Sequence, residues 1–205
     1  MDIRKILAAE IAEGIISTGV EGTFDSVSCS TAGDYPSMGC SQWEGERGNL
    51  LLGYIDGGAY FQNRSYSDIA DSGELKKLKN LLGSEQGQAA QRLILVEDCL
   101  SYVDILRQVP MLDDTRCLIY AGMWCPTSHY VVAEFLRNRY AEYNLRSLSV
   151  LREIFTEAYY VAAGVGQNYA AGYANRAQIT YEYVASIDLT TPYNIPPYGG
   201  AGNGR

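Results

Sequence analysis

Only one stretch of this chain has the composition of an extended hairpin; nearly all the rest repeats its apolar residues at helical spacing. The exception runs from Ser26 to Trp43. Ser26 to Thr31 is rich in Ser, Val and Thr, Ala32-Gly33-Asp34-Tyr35-Pro36 supplies turn residues, and Ser37 to Trp43 returns. A chain with so little strand must close its core with helices. The class expected is mainly α, with a small β-hairpin after the first helix.

The helices follow in order. Asp2 caps the first, Ile3, Leu7, Ile11 and Ile15 form its buried stripe, and Ser17-Thr18-Gly19 ends it. Residues 45–55 read as a short helix with Leu50, Leu51, Leu52 and Ile55 inward. Residues 56–71 read as an irregular loop carrying Tyr60, Phe61 and Tyr66. Asp71-Ser72-Gly73-Glu74 has capping-box spacing and opens a helix over 74–82. Ser84 starts a long helix to about residue 109. Ala89, Leu93, Val96, Leu100, Val103 and Leu106 are its expected stripe, and Pro110 stops it. Asp113 or Asp114 caps a helix over about 115–124, and Thr127 or Ser128 caps another over about 129–143. Helices over 145–163 and 173–187 complete the set. From Leu189 the chain is rich in Pro, Gly and Tyr without periodicity. The expected organisation is one domain over 1–188 and a tail over 189–205.

At 205 residues and 47% apolar, the chain can build a full core. No apolar run approaches the length of a membrane span. Glu10 and Glu13 interrupt the N-terminal apolar stretch, so no signal peptide is expected. The five cysteines and single histidine fit no zinc spacing, so neither a metal nor another cofactor is expected. Reduced, mostly buried thiols are the favoured state, ahead of a Cys29–Cys40 bridge across the hairpin. A net charge of -8 argues against a nucleic-acid partner. It suits a cationic glycan such as chitosan, or a component carried to its substrate by attachment.

The chemistry-bearing residues concentrate between Glu21 and Leu52. Breaking a glycosidic bond takes a carboxylic acid that still holds its proton, and a second group that activates water or stabilises the oxocarbenium ion. Glu21 follows the first helix and is flanked by Val20 and Phe24, neighbours that would shield a carboxyl from water. A hairpin directly after it would hold the second group opposite. Asp34 and Asp25 are the candidates for that group. Ser37 and Ser41 could position water. Gln42 offers a polar handle for acetamido groups, Trp43 an apolar platform for sugar rings, and Arg47 a partner for an acid of the site. A turn role competes for Asp34, a capping role for Asp25, and core packing for Trp43.

Glu21-Gly22-Thr23-Phe24-Asp25-Ser26-Val27, the run Ser37-Met38-Gly39-Cys40-Ser41-Gln42-Trp43-Glu44-Gly45-Glu46-Arg47, and Leu50-Leu51-Leu52 together resemble the lysozyme-like domains of phage tail lysozymes and endolysins. Gly39-Cys40-Ser41-Gln42 also resembles the Gly-x-x-Gln of goose-type lysozymes and lytic transglycosylases. The resemblance is specific over 21–52 and weaker over 84–121, where Glu85 to Gln91 and Leu112-Asp113-Asp114 have a similar look. It implies an α+β lysozyme-like fold and a peptidoglycan-cleaving activity of muramidase type with Glu21 as general acid. It also implies a phage setting, in the virion or in the host cytoplasm with release to the wall. The partners implied are glycan strands and, through the tail, other virion proteins. One departure stands out: several such domains keep an Asp eight residues before the hairpin glycine, where this chain has Thr31. A lytic transglycosylase, a chitosanase-like hydrolase and an inactive virion component remain the alternatives.

Overall fold

The computed structural model describes residues 2–188; the tail expected over 189–205 lies outside the described residues. The elements are α1 (Ile3–Thr18), β1 (Val27–Cys29), β2 (Pro36–Met38), α2 (Gly45–Gly53), α3 (Tyr66–Asp71), α4 (Leu75–Gly83), α5 (Glu85–Leu106), α6 (Thr115–Gly122), α7 (Cys125–Arg137), α8 (Leu148–Ala162) and α9 (Ala170–Ser186). Short 3-10 turns lie at Gly58–Phe61 and Gln167–Tyr169. The fold is mainly α, and the one sheet among the described residues is the antiparallel β1–β2 hairpin. Its register pairs Val27 with Met38, Ser28 with Ser37 and Cys29 with Pro36. The chain divides into two compact units, Met1–Gly14 with Asp98–Arg205, and Ile15–Glu97.

The first unit is built on aromatic rings. Trp124 is fully buried, with ring centres of Phe155 at 4.7 Å and Tyr159 at 5.0 Å, and Phe135 packs on both of those rings. The Arg176 guanidinium lies 4.3 Å from the centre of the Trp124 ring and donates to the Met123 carbonyl, a cation–π contact anchored by a hydrogen bond. Gly14 of α1 is buried where a Cβ would come within 2.6 Å of the Met123 sulfur, so the helix approaches closely there. Two caps follow the expectation. Asp114 accepts the Cys117 N–H at 3.0 Å, while Asp113 is taken by Arg146. Ser128, extended at φ -173°, accepts the Val131 N–H and restarts α7 after Pro126.

The second unit buries Leu51, Leu52, Phe61, Ile69, Leu78 and Leu82 around the hairpin. Three expectations change here. Residues 66–71, read as loop, form α3, whose N-cap Ser65 accepts the Asp68 N–H. The expected capping box does not form. Gly73, at φ 72°, turns the chain out of α3, and the Glu74 carboxylate goes to Arg64 at 2.8 Å. On α5 the expected stripe is displaced in its first half. Leu93 is 51% exposed, and Ala90, Gln91, Ile94 and Leu95 are buried instead. Leu93-Ile94-Leu95-Val96 is apolar on every side, so periodicity alone could not choose the inward face.

Candidate functional site

α1 ends on Gly19, whose left-handed φ of 61° turns the chain while its N–H still reaches the Ile15 carbonyl at 3.1 Å. Two residues on is Glu21, half-buried. The next residue fixes the course of the backbone there. A Cβ on Gly22 would come within 2.9 Å of the Gly39 carbonyl oxygen, 3.0 Å of Gln42 Nε2 and 3.1 Å of Ser26 Oγ. The backbone beside Glu21 therefore lies directly on the Gly39–Gln42 turn.

That turn is tightly held. Gly39 and Gln42 both have left-handed φ, 73° and 52°. For a non-glycine residue this costs about 1–2 kcal/mol. The Gln42 side chain offsets the cost by donating from Nε2 to the Gly39 carbonyl at 2.9 Å and accepting the Ser28 hydroxyl at Oε1, also at 2.9 Å. One N–H and one lone pair of its carboxamide are left over. The Ser37 hydroxyl donates to the Gln42 carbonyl, so Ser37 and Ser41, both buried, belong to the turn's framework rather than to an open surface.

Behind the turn is a residue to which the sequence assigned no role of its own. Gln91 is completely buried on α5. Its Oε1 accepts the Cys40 N–H at 3.0 Å, and its Nε2 donates to the Phe24 carbonyl at 3.0 Å and the Leu82 carbonyl at 2.9 Å. One side chain thus ties the loop after Glu21, the hairpin turn and the end of α4 together. Its signals in the sequence were a glutamine in an otherwise apolar helical face and its place at the end of the Glu85–Gln91 run.

Of the two aspartates expected as second catalytic groups, Asp34 is engaged with α3 and Asp25 stays in the loop after Glu21. Asp34 accepts the Ser67 N–H at 2.9 Å and the Ser67 hydroxyl, and so caps the first turn of α3. Those donors hold its carboxyl below the usual carboxylate range, chiefly through the Ser67 hydroxyl, so it stays an anion. Asp25 is exposed and accepts the Thr23 hydroxyl at 2.7 Å. It lines an open cavity of about 480 Å³ with Lys79 and Ser84. Trp43 is 5% exposed; its ring packs on Gly39, and it pairs with Met38, so its part is in the core and not as a sugar platform. Arg47 reaches α5, bonding the Ile94 carbonyl at 3.4 Å and standing 3.6 Å from Glu97.

A second cavity, of about 460 Å³, opens where the hairpin meets α2 and the 3-10 turn; Asp34, Glu46 and Arg64 are among its lining residues, and Glu21 lines neither cavity. All five cysteines are free thiols. Cys29 is exposed, Cys40 is buried, and burial pushes the Cys40 thiol up to about 12. Among the described residues no group of three or more His, Cys, Asp or Glu could hold a metal ion, and no helix is long and apolar enough to cross a membrane. Comparison with protein-family models, with curated proteins and with solved structures found no match.

Proposed function

We propose that this chain cleaves the β-1,4-linked amino-sugar strands of peptidoglycan, with Glu21 as the acid that protonates the glycosidic oxygen. The observation that supports this is the seat of Gly22 on the Gly39–Gln42 turn, which brings the backbone next to Glu21 against a carboxamide with one donor and one acceptor left over. Protonation of a leaving sugar and orientation of an acetamido group call for a partly shielded carboxyl and a rigid polar handle, the parts assigned to Glu21 and Gln42. The likeness of residues 21–52 to phage lysozyme-like domains points the same way. It also favours a role in a virion or in release from an infected cell.

With Asp34 held by Ser67, a reaction that runs on one essential carboxylate is the form favoured here. In that reaction Glu21 gives its proton to the leaving oxygen as the C1–O bond breaks. The 6-hydroxyl of the same sugar then closes on C1, and its proton returns to Glu21. The product is an anhydro end. Delivery of water to C1 would instead leave a reducing end and make the enzyme a hydrolase. Incubation with purified sacculi, followed by mass analysis of what dissolves, tests both points. Soluble fragments with anhydro or reducing ends support glycan cleavage and name its form. No release from sacculi of either Gram type would sink it.

A further inference from the structure

The second cavity has a composition of its own. Met38, Leu52 and Phe61 lie beneath it, nearly fully buried, Tyr35 adds an exposed ring to its lining, and Asp34 and Glu46, both exposed, stand beside that ring on the lining. Among the described residues neither of these carboxylates is in an ion pair. Asp34 is held by an N–H and a hydroxyl, with no cation. The cation on the wall, Arg64, is already committed, with Asp68 at 2.6 Å, Glu74 at 2.8 Å and the Ser72 hydroxyl at 3.1 Å. The mouth therefore carries uncompensated negative charge beside an exposed ring. Asn63 adds a polar group. Its Oδ1 accepts from Asn49 and its backbone N–H donates to Asn49, and its side-chain NH₂ takes part in neither bond.

We infer that this cavity is a binding site for the lysine-type side chain of a short peptide, its stem along Tyr35 above Met38, Leu52 and Phe61 and its ammonium between Asp34 and Glu46. Asn63 can then donate to a flanking peptide carbonyl. The volume, about 460 Å³, falls among the smaller ligand pockets and suits one long side chain with its amide neighbours. An anion is disfavoured there because Asp34 and Glu46 have its own sign and the charge of Arg64 is already matched by Asp68 and Glu74.

The test is an amide chemical-shift titration of the full chain at low salt with Nα-acetyl-lysine methylamide, and with the same compound acetylated at Nε. No glycan is present, so the result is independent of whether Glu21 cleaves one. Saturable shifts confined to residues of this cavity are expected, at least ten-fold weaker for the uncharged compound. Glu46→Gln should weaken binding of the charged compound several-fold, and Glu157→Gln, an exposed acid on α8, should leave it unchanged. Equal affinity for the two compounds, no saturable shift, an equal effect of Glu157→Gln, or displacement of the charged compound by inorganic phosphate at constant ionic strength would each overturn the assignment.

Discussion

Gln91 and Cys40 are joined by a hydrogen bond of 3.0 Å across fifty-one positions of chain, buried at both ends. The same carboxamide holds the Phe24 and Leu82 carbonyls, so one side chain sets the hairpin turn against the loop that follows Glu21. Gln91→Met keeps the volume and leaves two buried backbone groups and one part-buried carbonyl without this partner. A loss of about 2–5 kcal/mol is expected, at 1–3 kcal/mol for each unpaired group and with partial relaxation. Urea unfolding of the two proteins measures it. A variant within about 0.5 kcal/mol of wild type would show that this buried network does not hold the turn.

Gly39 meets the same residue from the other side. Its φ is 73°, and a Cβ there would overlap the Gln91 carboxamide oxygen. Gly39→Ala therefore combines a left-handed alanine with overpacking, and should cost about 2–4 kcal/mol. The neighbouring Gly45, also left-handed but with open space around its Cβ position, should cost about 1–2 kcal/mol when changed to Ala, from backbone strain alone. Equal losses at the two positions would contradict the role given to Gln91.

How much of this was legible in the sequence depended on how local the cause was. Leu7, Ile11 and Ile15 repeat at helical spacing and are all fully buried. The hairpin announced itself through its turn residues, and Asp114 and Ser128 through their capping chemistry. α3 was missed because its six residues are too few for periodicity to show. The capping box misled because Arg64, ten residues upstream, takes the Glu74 carboxylate. Trp43, with core and cleft equally open from sequence, was settled by the close approach of Gly39. Asp34 has the composition of a turn residue; that it also caps a helix thirty-odd positions later is a tertiary fact. The cavity could not be read at all, because its lining comes from the hairpin, α2 and the 61–65 segment together.

Acid should weaken the fold through carboxylates that are held ionised. The Arg64 guanidinium, helped by the Tyr60 and Ser72 hydroxyls, holds Glu74 down to about 2, and Ser67 holds Asp34 below its usual range. In the unfolded chain such carboxyls return to about 4. The unfolded state then takes up protons first as pH falls, so the contribution is complete above about pH 5 and is lost between about 4 and 2. Urea midpoints of wild type and Glu74→Gln should differ at neutral pH and converge across that window. Curves that remain parallel down to pH 2 would show that Glu74 does not titrate as described.

The most direct test of the central claim is the rate of soluble-fragment release from purified sacculi by Glu21→Gln, Asp25→Asn and Asp34→Asn beside wild type, each checked for its fold by circular dichroism. If Glu21 is the one essential carboxylate, its variant loses at least a hundredfold in rate, in line with removal of a general acid. The two aspartate variants should then stay within about ten-fold of wild type, with Asp34→Asn less stable because α3 loses its charged cap. A folded Glu21→Gln that still releases fragments at the wild-type rate would contradict the assignment of the acid. A folded Asp25→Asn or Asp34→Asn as inactive as Glu21→Gln would contradict the one-carboxylate mechanism.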